Sequence, residues 1–285
     1  MLVVRDPREM RHVLGEDGSG RRVPTVLVPT MGALHAGHAS LMDRAGEIAG
    51  ECGGRVVVSI FVNPLQFGDA EDLRSYPSTL DADLDMCLAH GVTAVYSPSV
   101  DAVYPAGFAT SVSVSGVSER WEGASRAGHF DGVATVVAKL FATCRPDWAI
   151  FGRKDLQQVA VVRRMARDLD LGVEVVVAPT VRDSDGLALS SRNTRLSADA
   201  RRRALVLPEA LKLGVDTALE RGPQVARAAM AERIRDAAGV SLDYVDLVDD
   251  ASMEPIERVD GECSAIGALV VDGVRLIDNL PLSPD

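Results

Sequence analysis

Two histidines three residues apart lie within "VPTMGALHAGHASLM", Val28 to Met42. Imidazoles at that spacing suit two chemistries, metal ligation or directed hydrogen bonding to an anion. A metal needs a third ligand, and the metalloprotease version needs Glu directly after the first histidine, where this chain has Ala36; chelation is therefore disfavoured. For an anion the setting is better. Pro29, Thr30, Met31 and Gly32 read as a turn after a hydrophobic strand, and Gly32 and Gly37 let backbone approach a ligand. A helix starting near Gly37 or His38 would aim its unpaired N–H groups and positive dipole end at that turn. His35 and His38 then add side-chain donors. Taken alone, a His-x-Gly-His match weighs evenly between this reading and two ordinary loop and cap residues.

Four further polar clusters tip that balance. "NPLQFG" offers Asn63 and Gln66, whose amides suit hydroxyls and carboxylates. "RAGHFDG" places Arg126 and His129 ahead of a helix, and "FGRKDLQQ" brings Gly152, Lys154, Asp155 and Gln158 after a strand. "LSSRN" supplies Ser190, Ser191 and Arg192, two hydroxyls and a guanidinium fork suited to phosphate oxygens. Lys154 and Asp155 also fit a charge pair at a helix start, but four clusters at or near strand ends exceed what solubility needs.

The elements that must carry these residues alternate. Apolar β-branched runs predict strands at Val23–Val28, Arg55–Val62, Val92–Tyr96, Trp148–Phe151 and Val173–Ala178. Helical spacing predicts His38–Ala49, Ser78–His90, Val133–Cys144 and Asp155–Leu169. This order implies an α/β fold, a Rossmann-like, doubly wound parallel sheet, with chemistry in the loops after the strands. Beyond a boundary near residue 180 the pattern changes to helices at Ser197–Glu220 and Pro223–Ala238, then strands near Leu242–Val248 and Ser264–Leu276, with a hairpin signal at Asp272-Gly273. The expected organisation is a domain over residues 1–180 and a smaller C-terminal α+β domain over 181–285. "TSVSVSG", Thr110 to Gly116, reads as a short half-exposed strand.

Composition bounds the function. With 285 residues and 47% hydrophobic residues the chain can bury a large core. A net charge of −11 makes the surface as a whole repel polyphosphate backbones and anionic lipid, so neither a nucleic-acid nor a membrane role is expected. Charges at Arg5, Asp6, Arg8, Glu9 and Arg11 disfavour a secretory signal. Cys52, Cys87, Cys144 and Cys263 are scattered, as expected of reduced thiols in a cytoplasmic protein.

"PTMGALHAGHASL", "SIFVNPLQF", "HFDGVATVVAKLF", "FGRKDLQQ" and "PTVRDSDGLALSSRN" together resemble the pantothenate synthetase (pantoate-beta-alanine ligase) family of the nucleotidyltransferase superfamily. The resemblance runs in order along nearly the whole chain and is most specific in the first 195 residues. It implies ATP-dependent condensation of pantoate with beta-alanine through a pantoyl adenylate, Mg²⁺ accompanying ATP, a C-terminal domain covering the active site, and a homodimer. By matching motifs, His35 and His38 meet the triphosphate, while Lys154, Ser190, Ser191 and Arg192 neutralise charge at the α-phosphate and departing pyrophosphate. Pro29, Thr30, Met31, Gly32, Gly37, Gly152, Asp155, Val181 and Leu189 complete the ATP site. Gln66 and Gln158 hold pantoate, with Asn63 and Met31 nearby. Arg126, Glu122, His129 and Tyr76 belong to a segment beside the second substrate or the dimer contact, and Asp83 stands where a metal-associated acid is expected.

The chain departs from the family habit at Arg153, where an acid or amide is common, and at Ala82. Arg153 is expected to add positive charge near the phosphates. Two other readings stay open: a nucleotidyltransferase acting on a phosphate monoester, which needs cations where Gln66 and Gln158 stand, and a nucleotide-binding regulator without turnover.

Overall fold

Valine-rich runs without polar alternation, such as Thr25–Thr30 and Arg55–Ile60, make centrally buried strands, and six strands form one all-parallel sheet. The computed structural model describes residues 1–15, 22–68, 70–74 and 76–282. Its first elements are β1 (Leu2–Val4), α1 (Pro7–Val13), β2 (Thr25–Thr30), α2 (Ala36–Cys52), β3 (Arg55–Ile60), α3 (Ala70–Arg74), α4 (Leu80–Ala89) and β4 (Ala94–Tyr96). α5 (Val100–Val103), α6 (Glu122–Ser125), α7 (His129–Cys144), β5 (Trp148–Gly152), α8 (Leu156–Asp168) and β6 (Glu174–Ala178) follow. The strand order is β1-β4-β3-β2-β5-β6. Successive strands leave β2 first on one side and then on the other, which puts the topological switch point between β2 and β5.

Strand alternation separates the two faces of this sheet. Val26, Val28, Val56 and Val58 pack with Leu41, Met42 and Ala45 of α2 in one buried cluster. Leu27 and Val57, equally buried, lie outside it, and α7 contacts β2.

The chain forms two units, and the division is not a single cut near residue 180. The first holds Met1–Gly152 and Val161–Ala178, the second Arg153–Ala160 and Pro179–Asp285. The short stretch carrying Lys154, Asp155 and Gln158 thus belongs with the second unit. That unit contains α9 (Ala198–Ala204), α10 (Val206–Arg221), α11 (Pro223–Arg235) and a three-stranded antiparallel sheet of β7 (Val240–Asp249), β8 (Cys263–Val271) and β9 (Val274–Pro281). Leu207 and Leu211 of α10, Met230 and Ile234 of α11, and Leu247 and Leu269 of the sheet share its core.

The hairpin signal is realised: Asp272 (φ 47°) and Gly273 (φ 76°) join β8 to β9 in the paired positive-φ geometry of a tight two-residue turn. Other expectations are corrected. Ser197–Glu220 is two helices that meet at Leu205. Thr110–Gly116 forms no strand and instead bonds to side chains of α7: Val112 N–H, a group a ladder would use, donates to Thr135 Oγ1 (2.9 Å), and Ser113 Oγ donates to Asp131 Oδ1 (2.7 Å). β1 and α1 were not anticipated, although Asp6 capping a helix with Pro7 at its first position was a usable signal.

Candidate active site

β2 and β5 pair at Val26–Trp148 and Leu27–Ala149, then run on unpaired to Thr30 and Gly152. Their carboxyl ends therefore part, opening the sheet where a doubly wound fold binds ligands. Pro29 and Thr30, expected in a turn, belong to the strand and pair with Ser59 and Ile60. Pro29 lies past the last β2–β5 pair, so its missing N–H breaks no ladder bond on that side.

The turn beyond β2 is held by side chains. Thr30 Oγ1 accepts from Gly32 N–H (3.2 Å), and the Asp83 carboxylate accepts from Ala33 N–H (3.0 Å), Leu34 N–H (2.8 Å) and Thr79 Oγ1 (3.1 Å). Gly32 is required twice over: its φ is +82°, and a Cβ there would meet Asp83 Oδ2 at 2.9 Å. Asp83 is buried and both its oxygens serve this turn. It is a backbone clamp, and among the described residues no group of three or more His, Cys, Asp or Glu is placed to hold a metal.

α2 begins at Ala36, one or two residues earlier than expected, and its two histidines cap it reciprocally. His35 Nδ1 accepts from Gly37 N–H (3.1 Å) and His38 Nδ1 accepts from His35 N–H (3.2 Å), a capping box built from rings. The ring centroids lie 4.2 Å apart. A backbone N–H can only donate, so each neutral ring carries its proton on Nε2. The N–H groups of His38 and Ala39 are also taken, both by His35 O (2.8 and 3.1 Å). The helix start has thus spent these backbone donors on itself, and the donor left to each neutral ring is its Nε2–H.

After β3, a 3-10 turn at Pro64–Gln66 presents two amides whose orientations are fixed by backbone. Asn63 Oδ1 accepts from Leu65 N–H (3.3 Å) and from the Tyr104 hydroxyl (2.8 Å), so its Nδ2 must be the donor to Gly132 O (3.0 Å) and Gln66 Oε1 (3.1 Å). Gln66, itself buried, consequently donates its Nε2–H to Met31 Sδ (3.1 Å). Gly132 of α7 makes this possible: a Cβ there would lie 2.4 Å from Leu65 O. Arg126 Nη2 and His129 Nδ1 both reach Gln66 O (3.2 and 2.9 Å), and Glu122 lies 4.0 Å from Arg126. Tyr76 stacks edge-on against Phe67. Met31, Asn63, Gln66, Arg126, Glu122 and His129 thus form one connected group in the first unit. Tyr104, which completes it, carried no sequence signal.

In the second unit, a 3-10 turn at Arg153–Asp155 carries Lys154, whose ammonium lies 3.9 Å from Asp155. Gln158 sits half-buried on α8. The loop from Val181 closes by Leu189 N–H to Val181 O (2.9 Å), and Ser190 then caps a 3-10 turn at Ser191–Arg195 by accepting from Arg192 N–H. Arg201 grips Asp183 and Asp185 of that loop (2.6 and 2.7 Å). At the loop's start Arg182 makes a bidentate pair with Asp278 (2.7 and 2.9 Å). Burial pushes the Asp278 carboxyl up, opposed by Arg182, its own neighbour's N–H and the Lys154 charge. Arg153 does not add its guanidinium to a phosphate site as expected: Nη2 bonds Asp250 Oδ2 (2.7 Å) and Ser264 Oγ (2.9 Å). Burial likewise raises the Asp250 carboxyl.

Fold and site define a doubly wound α/β protein with hydrogen-bond donors gathered at its switch point. The family described as pantoate-beta-alanine ligase matches residues 2–281. A pantothenate synthetase from Rhizorhabdus wittichii is 54% identical over 263 residues, 92% of each chain. A crystal structure of pantothenate synthetase from Thermus thermophilus superposes with a TM-score of 0.92 at 43% identity, covering 100% of both chains. The Francisella tularensis pantoate-beta-alanine ligase, solved with beta-gamma ATP and beta-alanine, matches with a TM-score of 0.79 at 29% identity, covering 100% of this chain and 99% of its own. The chain belongs to the pantoate-beta-alanine ligase family.

Proposed function

We propose that the chain condenses (R)-pantoate with beta-alanine at the expense of ATP, giving pantothenate, AMP and pyrophosphate, and so serves pantothenate and coenzyme A biosynthesis in the cytoplasm as a homodimer. A pantoate carboxylate oxygen attacks the α-phosphorus and pyrophosphate leaves. The beta-alanine amine then attacks the acyl carbon of the bound pantoyl adenylate, AMP leaves, and the amine gives up its proton. A carboxylate oxygen is a poor leaving group until AMP is attached to it, which is why ATP is needed.

The observation that carries this reading is the ring capping box, which fixes two neutral N–H donors at the switch point. Such donors suit phosphate oxygens without adding charge, while Lys154, Ser190, Ser191 and Arg192 are assigned to charge building at the α-phosphate and pyrophosphate. Pro29, Thr30, Met31, Gly32, Gly37, Gly152, Asp155, Val181 and Leu189 are assigned to the remaining ATP contacts. Gln66 and Gln158 are assigned to pantoate. The Gln66 amide, whose Nε2 meets only the weak acceptor Met31 Sδ among the described residues, suits a hydroxyl or carboxylate oxygen, and its neutrality argues against a phosphate-monoester acceptor. Positioning of this kind can supply roughly 7–11 kcal/mol of barrier reduction. Mg²⁺ enters with the nucleotide, held mainly by phosphate oxygens and water as is usual for this ion. The test is pyrophosphate release with ATP, Mg²⁺ and D-pantoate. A single-turnover burst on pantoate alone, continuous only with beta-alanine, is the expected result; no release with pantoate overturns the reading.

A further inference from the structure

The small C-terminal sheet reaches the turn that carries Lys154. Asn279 on β9 is buried at 3% exposure and donates both Nδ2 hydrogens to the turn that carries Lys154, to Arg153 O and Lys154 O, each at 2.9 Å. Two carbonyl acceptors fix its orientation. Its Oδ1 is buried with no hydrogen-bond partner among the described residues, so the side chain keeps an unsatisfied acceptor in order to make those two bonds. The preceding residue, Asp278, is 4% exposed and holds Arg182 at the root of the loop leading to Ser190–Arg192. Arg182 Nη2 also bonds Asn279 O (3.2 Å), and its Nη1 bonds Gly186 O (3.0 Å). Adjacent residues of one strand therefore fix both cation-bearing segments of the second unit. Lys154 is held by its carbonyl, which sets where its side chain begins while leaving its ammonium 3.9 Å from Asp155.

We propose that β9 registers these two segments, with Asn279 acting as a positioning residue for Lys154. This rests on the assignment of Lys154 to phosphate charge. The test is a double-mutant cycle on single-turnover pyrophosphate release with ATP, Mg²⁺ and D-pantoate. Asn279→Ala should slow release about 10- to 100-fold, the scale of an ångström-sized misplacement, with much less change in the ATP KM. In a Lys154→Ala background the same substitution should add no further loss, whereas damage unrelated to Lys154 persists in both backgrounds. Equal loss in both backgrounds overturns the proposal, as does a wild-type rate for Asn279→Ala beside a crippled Lys154→Ala. A wild-type rate for Lys154→Ala overturns the phosphate assignment itself, and the proposal with it. Thermal melting checks the fold; if Asn279→Ala does not fold, Asn279→Asp, which keeps the shape and removes the two donors, is read in the same cycle.

Discussion

The two units fix their polar groups in different ways. In the first, the histidine rings and the two amides have their donor atoms decided by backbone groups: Gly37 N–H settles the His35 tautomer and His35 N–H that of His38. In the second the groups are cations, and they are fixed from far along the chain, Arg182 by Asp278 across 96 residues and the Lys154 carbonyl by Asn279 across 125. A neutral imidazole or amide has an ambiguous proton or orientation, so it needs an unambiguous neighbour. A lysine or arginine has no such ambiguity but needs a placed root and a check on where its charge goes. The contrast explains why Asp83, a carboxylate in the first unit, clamps backbone rather than pairing with a cation.

Replacing Lys154 with alanine is the largest expected break in the cation half, a loss of about 10²- to 10³-fold in adenylate formation, the scale of removing one transition-state donor, with an unchanged melting temperature. In the neutral half, Gly132→Ala should cost about 1–3 kcal/mol of stability in urea melts, because backbone at Leu65 must move, and it should raise the pantoate KM by shifting Gln66. His35→Ala should remove a helix cap worth about 1 kcal/mol along with catalysis, whereas His35→Asn, a good capping residue, should keep stability and still lose rate. Equal melting of the two variants would sever the cap from the motif. Tyr104→Phe removes one hydrogen bond to Asn63, about 1 kcal/mol or less, and should appear in the pantoate KM before it appears in kcat. The smallest effect is a pH one. The hydrogen bond from Arg201 holds the Asp185 carboxyl below the usual range, so its contribution is full above the unfolded value and lost as pH falls through the folded one. The melting-temperature gap between wild type and Asp185→Asn should therefore shrink toward pH 3.

Legibility in the sequence follows the same divide. The parallel sheet, the C-terminal hairpin and the histidine motif were readable because each rests on local signals: β-branched runs, Asp272-Gly273, and a glycine-bearing turn before a helix. The family resemblance supplied roles for residues but not their partners. Arg153 read as an added phosphate cation because its partners Asp250 and Ser264 lie about a hundred residues away. The bonds from the backbone of Ala33 and Leu34 to Asp83 were not legible, because they join residues 50 and 49 positions apart. Thr110–Gly116 alternates like a strand yet finds its partners on a helix. Asp278 and Asn279 left one trace, two polar residues side by side between the apolar Leu276-Ile277 and Leu280 of the closing strand.

The ring capping box also sets a proton's position. With each Nδ1 accepting from a backbone N–H, the proton of a neutral ring stands on Nε2. An ordinary pair of loop imidazoles leaves the choice of nitrogen to chance; here the start of α2 makes that choice in advance, before anything is bound.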